Sequence, residues 1–214
     1  MNQHATAPLV AILRGIRPEE IDAHIPLLIA AGFRAIEIPL NSPDWQESIP
    51  QAVKRYGEQA TIGAGTVLSV DNVERLAAAG CRLIVSPDTN PEVIQCALRH
   101  QMQVLPGCAT PTEAFQAIAA GARQIKLFPA GLFGPGYARA LRSVIAPDIA
   151  LYAVGGITPQ TLPDYLAAGC SGAGLGGELY RAGQSPEQTH KNAQAFIAAH
   201  RRYLSPSAHP REHV

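Results

Sequence analysis

Lysine is scarce in this chain: only Lys54, Lys126 and Lys191 occur among 17 basic residues. Chemistry that needs an amine nucleophile therefore has three candidates. Charge of every kind is low, 16% of 214 residues against the roughly 25% usual in soluble domains. Basic and acidic side chains balance at 17 each, giving a formal net charge of zero. A general nucleic-acid or membrane-surface binder needs a basic excess, so neither partner is expected. No apolar run approaches the ~20 residues of a membrane-spanning helix. Residues 1–8 lack both the basic and the apolar region of a signal peptide. The expectation is a soluble, cytoplasmic protein. Cys81, Cys96, Cys108 and Cys170 are spread without a CxxC pair, which predicts buried reduced thiols and neither a metal site nor disulfides. The histidines fall mostly in helical or terminal stretches (His24, His100, His190, His200), and none is placed as a catalytic base.

Apolar residues make up 47% of the chain, enough for a sizeable core, and its 18 prolines punctuate the pattern. Proline suits the first turn of a helix, where its missing N–H would have no partner. Ser42-Pro43, Asn90-Pro91, Thr110-Pro111, Thr158-Pro159 and Ser185-Pro186 read as helix starts, joined by Arg17-Pro18, Gly134-Pro135 and Ser69. Thr110 with Glu113 and Ser185 with Gln188 form capping boxes. The eight starts recur about every 24 residues. Between them lie near-continuous apolar runs, the pattern of parallel strands covered by helices on one face and packed on the other. The runs are Leu9–Leu13, Ala35–Leu40, Thr61–Gly65, Leu83–Ser86, Gln103–Pro106, Gln124–Phe128, Ala150–Val154 and Gly172–Gly176.

Eight strand-then-helix units predict an α/β fold, a single-domain (β/α)8 TIM barrel over residues 9–204. Residues 1–8 are an extension and residues 205–214 a frayed tail. A doubly wound sheet is the alternative architecture, but no GxGxxG follows the first run. Ala-Gly pairs at Gly32, Gly80, Gly121 and Gly169 cap helices every second unit. Pro26 falls inside the first helical pattern and is expected to kink it.

Two runs carry charge where charge is expensive. Glu37 and Lys126 each lie five residues after an Ala-Gly cap, and each is flanked by large apolar residues. Those neighbours face the helices, so both charged side chains point into the barrel from its second and sixth strands. A buried Glu–Lys pair rarely improves stability over apolar packing, so a catalytic role is the stronger reading. Burial and a nearby cation such as Arg14 both lower a lysine pKa, freeing the amine to attack a carbonyl. Lys54 and Lys191 sit in polar helical contexts. Glycine-rich turns at Val154-Gly155-Gly156-Ile157-Thr158-Pro159 and Gly174-Leu175-Gly176-Gly177-Glu178 follow the last two strands, where barrels of this type bind phosphate. Thr66, after Gly63-Ala64-Gly65, is either a helix cap or a hydroxyl for a substrate carboxylate. Pro87 and Phe128 are candidates for the pocket wall.

Ile12-Leu13-Arg14-Gly15, Ile36-Glu37-Ile38-Pro39-Leu40, Gly63-Ala64-Gly65-Thr66, Lys126-Leu127-Phe128-Pro129 and Val154-Gly155-Gly156 stand in the order seen in a known family. From about Leu9 to His200 the chain resembles the 2-keto-3-deoxy-6-phospho-sugar-acid aldolases, class I enzymes on (β/α)8 barrels. Asn41 and Val154 stand where the gluconate-specific branch usually has arginine and threonine, so the chain looks like the galactonate branch. The resemblance implies that Lys126 forms a Schiff base and Glu37 shuttles protons. It also implies that Arg14 and Thr66 orient the pyruvyl end, while Gly155, Gly156, Gly176 and Gly177 hold the phosphate. Relatives often carry a phosphate-binding serine where Gly177 stands. The implied partner is a small phosphorylated keto-deoxy sugar acid, cleaved to pyruvate and glyceraldehyde 3-phosphate without metal or organic cofactor, in a homotrimer. The other readings are the gluconate-epimer aldolase, a sugar-phosphate epimerase or isomerase, and a non-catalytic phosphate-binding barrel.

Overall fold

The computed structural model describes residues 7–205. The apolar runs form parallel strands β1 (Leu9–Ile12), β2 (Ala35–Pro39), β3 (Thr61–Gly65), β4 (Leu83–Val85), β5 (Gln103–Leu105), β6 (Gly107–Cys108), β7 (Gln124–Leu127), β8 (Ala150–Val154) and β9 (Gly172–Leu175). Their order in the sheet is β5-β4-β3-β2-β1-β9-β8-β7-β6. The two ends of that order are separated in the chain by Pro106 alone. Proline has no N–H to give the ladder, so one strand is divided into β5 and β6, while the Pro106 carbonyl still accepts from Lys126 N at 2.9 Å. The nine segments thus amount to the eight strands of a (β/α)8 barrel, in one domain.

Helices alternate with the strands: α1 (Ile21–Ala31), α2 (Trp45–Tyr56), α3 (Val70–Ala78), α4 (Pro91–Arg99), α5 (Pro111–Ala119), α6 (Ala130–Arg142), α7 (Leu162–Ala167) and α8 (Pro186–Leu204). None is long and apolar enough to cross a membrane. Alternation along each strand divides the apolar side chains into two sets. Leu9, Ala11, Ile36, Ile38, Ile62, Ala64, Ile125, Leu127, Leu151 and Ala153 join the continuous core between sheet and helices. Val10, Leu83, Val85 and Leu105, with Ala35 and Tyr152 against them, form a second cluster inside the barrel. Glu37 and Lys126 follow Ala35 and Gln124 by two residues, so both strands carry their charge on the inward face.

The four Ala-Gly caps are left-handed, with φ from +82° at Gly80 to +119° at Gly32. Ser69, Asn90, Thr110 and Ser185 cap their helices through side-chain oxygens. Other expected starts shift. Ser42 instead accepts a hydrogen bond from Gly15 N at 2.9 Å, and α2 begins after Asp44, itself left-handed at φ +48°. Thr158 and Thr161 exchange backbone-to-hydroxyl hydrogen bonds of 3.0 and 3.1 Å, forming a turn that delays α7 to Leu162. Gly134, at φ +78°, breaks α6 internally, so Pro135 opens only its second part. The expected box at Ser185 is half made: Ser185 Oγ accepts from Gln188 N, while the Gln188 side chain turns to Asn192 and does not accept from the cap N–H. The α1 helix runs through Pro26 to Ala31, preceded by a 3-10 turn at Pro18–Glu20. Most of the expected tail, residues 206–214, lies outside the described residues, as do residues 1–6 of the expected extension.

Candidate active site

A cavity of about 600 Å3 opens at the ends of the strands, and Glu37 and Lys126 both line it. The backbone places them: Ile12 pairs with Glu37 across β1–β2, and Gly107 pairs with Lys126 across β6–β7. Both side chains are buried, 2% and 6% exposed. Among the described residues no ion pair within 4.0 Å joins them. Glu37 Oε2 is buried without a hydrogen-bond partner, and the Lys126 amine stands 5.1 Å from the centre of the Phe128 ring.

Burial sets the electrostatics. It pushes the Glu37 carboxyl up to about 7, against the attraction first of Lys126 and then of Arg14. It pushes the Lys126 amine down to about 8, opposed by Glu37 and assisted by Arg14. An amine with that pKa is free in about one molecule in ten at pH 7, against about one in three thousand for an ordinary lysine. The pair therefore offers a nucleophilic amine and a carboxyl able both to give and to take protons near neutrality.

The remaining residues singled out in the sequence come to the same cavity. Arg14, at the end of β1, lines it and donates through Nη1 to Asn41 Oδ1 at 2.6 Å. Thr66 is no helix cap; its φ of +57° turns the chain after β3, and Ser69 caps α3 instead. Pro87 and Phe128 form wall, and Val154, Gly155 and Gly156 follow β8 into the lining. Gly155 (φ +93°) packs beneath the Phe128 ring, where an added Cβ would come within 3.3 Å. Gly176 and Gly177 line it after β9, the strand paired to both β8 and β1. Gly65 has a different use from the one its turn suggests: a Cβ there would overlap the Glu37 carboxyl. The glycine makes room for the acid.

The lining also holds Ile12, Ile157, Glu178, Tyr180 and Arg181, of which the first three stand inside the sequence motifs without an assigned role, while sequence reasoning missed Tyr180 and Arg181. The last three belong to the turn after β9, where Leu179 N and Tyr180 N both bond Gly176 O, so the segment folds back on the cavity. Their nearness to Gly176-Gly177 was the available signal.

Away from this lining, Glu74, Cys96 and His100 bring three possible metal-ligand atoms within 4.8 Å of one another. Cys96 on α4 and His100 at its C-terminal cap form a CxxxH spacing, present in the sequence and overlooked in the reading of the cysteines. The group satisfies itself as it is: Cys96 Sγ donates to Glu74 Oε1 at 3.3 Å, and His100 Nε2 lies 2.7 Å from Oε2. His24, buried against Thr189 at 2.9 Å, is structural. All four cysteines are buried and unbonded to one another.

A parallel barrel with a buried amine and a carboxyl facing one cavity defines an enzyme of the carbonyl-lyase type. The model for the KDPG and KHG aldolases matches residues 1–193. A relative from Escherichia coli (strain K12), named 2-dehydro-3-deoxy-6-phosphogalactonate aldolase, is 55% identical over 94% of this chain and 98% of its own. The 2-dehydro-3-deoxy-phosphogluconate aldolase of Treponema pallidum (strain Nichols) is 34% identical, over 74% of this chain and 76% of its own. A solved structure described as native KDPGal superposes with a TM-score of 0.92 at 54% identity, covering 95% of this chain and 99% of that one. The chain belongs to the KDPG and KHG aldolase family and is an aldolase.

Because Gly65 yields its space to Glu37, Gly65→Ala is expected to displace the carboxyl and lower kcat by at least about 100-fold, the lower range for loss of a proton-transfer group. Circular dichroism and melting temperature should stay near those of the parent. Activity within a few-fold of the parent would show that the carboxyl position does not matter.

Proposed function

We propose that the protein is a cytoplasmic class I aldolase that cleaves 2-dehydro-3-deoxy-6-phosphogalactonate to pyruvate and glyceraldehyde 3-phosphate. One observation carries the reading: Lys126 and Glu37 are buried in one cavity, and Glu37 keeps an unpartnered oxygen. The Lys126 amine attacks the C2 ketone to give a carbinolamine, whose hydroxyl leaves as water after protonation by Glu37. Glu37, now the carboxylate, takes the C4 hydroxyl proton as the C3–C4 bond breaks. The electron pair of that bond passes to the iminium nitrogen, leaving an enamine and releasing the aldehyde. Returning the proton to C3 and adding water to the imine then frees pyruvate and the lysine. Arg14 and Thr66 orient the pyruvyl end, and Gly155, Gly156, Gly176 and Gly177 present backbone N–H groups to the phosphate. Pro87, Phe128 and Val154 wall the chain of the sugar acid. Four buried thiols without a disulfide among them suit a reducing compartment.

Borohydride in the presence of pyruvate should leave one covalent adduct, mapped by mass spectrometry to Lys126. The trapping rate should rise with pH as the amine loses its proton near 8. In Glu37→Gln the maximum rate should fall, and the midpoint should move to lower pH, because the carboxylate that holds the ammonium form is gone. An adduct on Lys54 or Lys191, or none, would overturn the assignment.

The galactonate epimer is favoured over the gluconate by Asn41 and Val154 and by the higher identity to the galactonate-named relative. Side-by-side kinetics should give a kcat/KM preference of at least about tenfold for the galacto compound, since contacts to one hydroxyl discriminate at this level or above. A preference for the gluco compound would reverse the substrate. We also propose a homotrimer, supported by Leu132, 85% exposed on α6, and its neighbour Phe133. Light scattering should return three times the chain mass, and a monomer would remove that part of the proposal.

A further inference from the structure

We infer that Arg181 is the residue that binds the substrate's phosphate by charge, and that Glu178 holds its guanidinium in place until the phosphate displaces it. The inference rests on the cavity being the site of a phosphorylated substrate, as proposed above. It adds a residue that neither the glycine turns nor the reacting pair requires.

A phosphate dianion leaving water for a cavity needs a cation as well as backbone N–H groups. The lining offers three: Lys126, Arg14 and Arg181. Lys126 is committed to the carbonyl. Arg14 belongs to the reacting end; it is bonded to Asn41, and its charge acts on both Glu37 and Lys126. Arg181 is held elsewhere, by Gly177 and Glu178. It stands instead at the glycine turn after β9, beside Gly177.

The geometry there is specific. A Cβ built on Gly176 meets nothing within 4 Å, and one built on Gly177 meets only Arg181 Nε, at 4.0 Å. The guanidinium therefore flanks the space that a side chain at 177 would occupy. Position 177 offers only its backbone, so the charge comes from four residues on. Arg181 Nε donates to Gly177 O at 2.8 Å, which fixes the plane of the guanidinium against the turn. Its Nη2 donates to Glu178 Oε1 at 3.2 Å. That ion pair is exposed, with the arginine side chain 70% accessible, so it adds little stability and yields readily. A phosphate carries nearly twice the charge of the carboxylate and accepts two parallel N–H bonds from an arginine fork. The carboxylate and the phosphate compete for one edge of the fork, and the dianion wins.

Steady-state kinetics on the 6-phosphorylated keto-deoxy sugar acid and its unphosphorylated counterpart test this. Arg181→Ala should raise KM for the phosphorylated compound about 10- to 100-fold, the span expected for loss of a hydrogen bond to a charged group. Its kcat should change by less than about threefold, and KM for the unphosphorylated compound by less than about twofold, limits well below that span. Arg181→Lys should recover part of the loss, keeping the charge without the fork. Glu178→Gln should lower KM for the phosphorylated compound by removing the competitor. Calorimetry with inorganic phosphate reads the same contact without turnover, and binding should weaken in Arg181→Ala. Equal losses on both substrates, or no loss on the phosphorylated one, would overturn the assignment. Borohydride trapping with pyruvate separates the two proposals. Failure of trapping in the parent protein would sink the aldolase chemistry. Trapping in parent and variant alike, with no fall in phosphate preference, would sink Arg181 alone.

Discussion

A carboxyl and an amine are held inside the barrel without an ion pair between them, and the chemistry follows from that. Desolvation is the largest influence on each, and it acts in opposite senses, raising Glu37 and lowering Lys126. Their mutual attraction opposes both shifts. In direct contact the attraction would gain, fixing an ammonium and a carboxylate and leaving neither group free to react. Set apart and buried, they titrate close together near neutrality. One can be a nucleophile while the other moves protons. Buried charge of this kind stabilises nothing by itself, because removing both groups from water costs more than their attraction returns.

The rest of the fold supplies what the pair does not. Apolar packing is concentrated between the sheet and the helices, where side chains from all eight βα units form one continuous core. The barrel interior holds only a small apolar cluster of Val10, Leu83, Val85 and Leu105. Stability and chemistry are thus carried by opposite faces of the same strands. Small residues then keep the inner face open. Gly65 leaves room for the Glu37 carboxyl, and Gly155 lets the Phe128 ring lie close to the turn after β8. These glycines answer to neighbouring side chains as much as to backbone conformation.

This separation explains how much could be read from the sequence. Strands buried on both faces show as unbroken apolar runs, and two of them, Thr61–Gly65 and Ala150–Val154, have the expected bounds exactly as observed. A charged residue inside such a run is conspicuous, which is how Glu37 and Lys126 stand out. Helix starts are less legible, because a cap is local and tertiary partners compete for it. Ser42 is drawn to Gly15 N, and Thr158 to Thr161. The division of the fifth strand at Pro106 is a hydrogen-bonding effect that no apolar pattern records. Arg181 was missed for a related reason: it lies four residues beyond Gly177, and the fold-back of Leu179 and Tyr180 onto Gly176 brings it back to the cavity.

The scarcity of lysine and of charge acquires a physical meaning from the cavity. A substrate with a phosphate brings about two negative charges to the mouth of a cavity whose reacting amine and carboxyl are buried and therefore weakly screened. An unneutralised dianion there would raise the Lys126 pKa and withdraw the free amine. Arg14 already acts on the reacting pair, so it cannot absorb that charge without altering the balance it helps to set. A cation on the turn after β9, tied there by its own Nε, can. Placing the neutralising charge at Arg181 lets the substrate be held through its anion while the amine keeps the pKa that burial gives it.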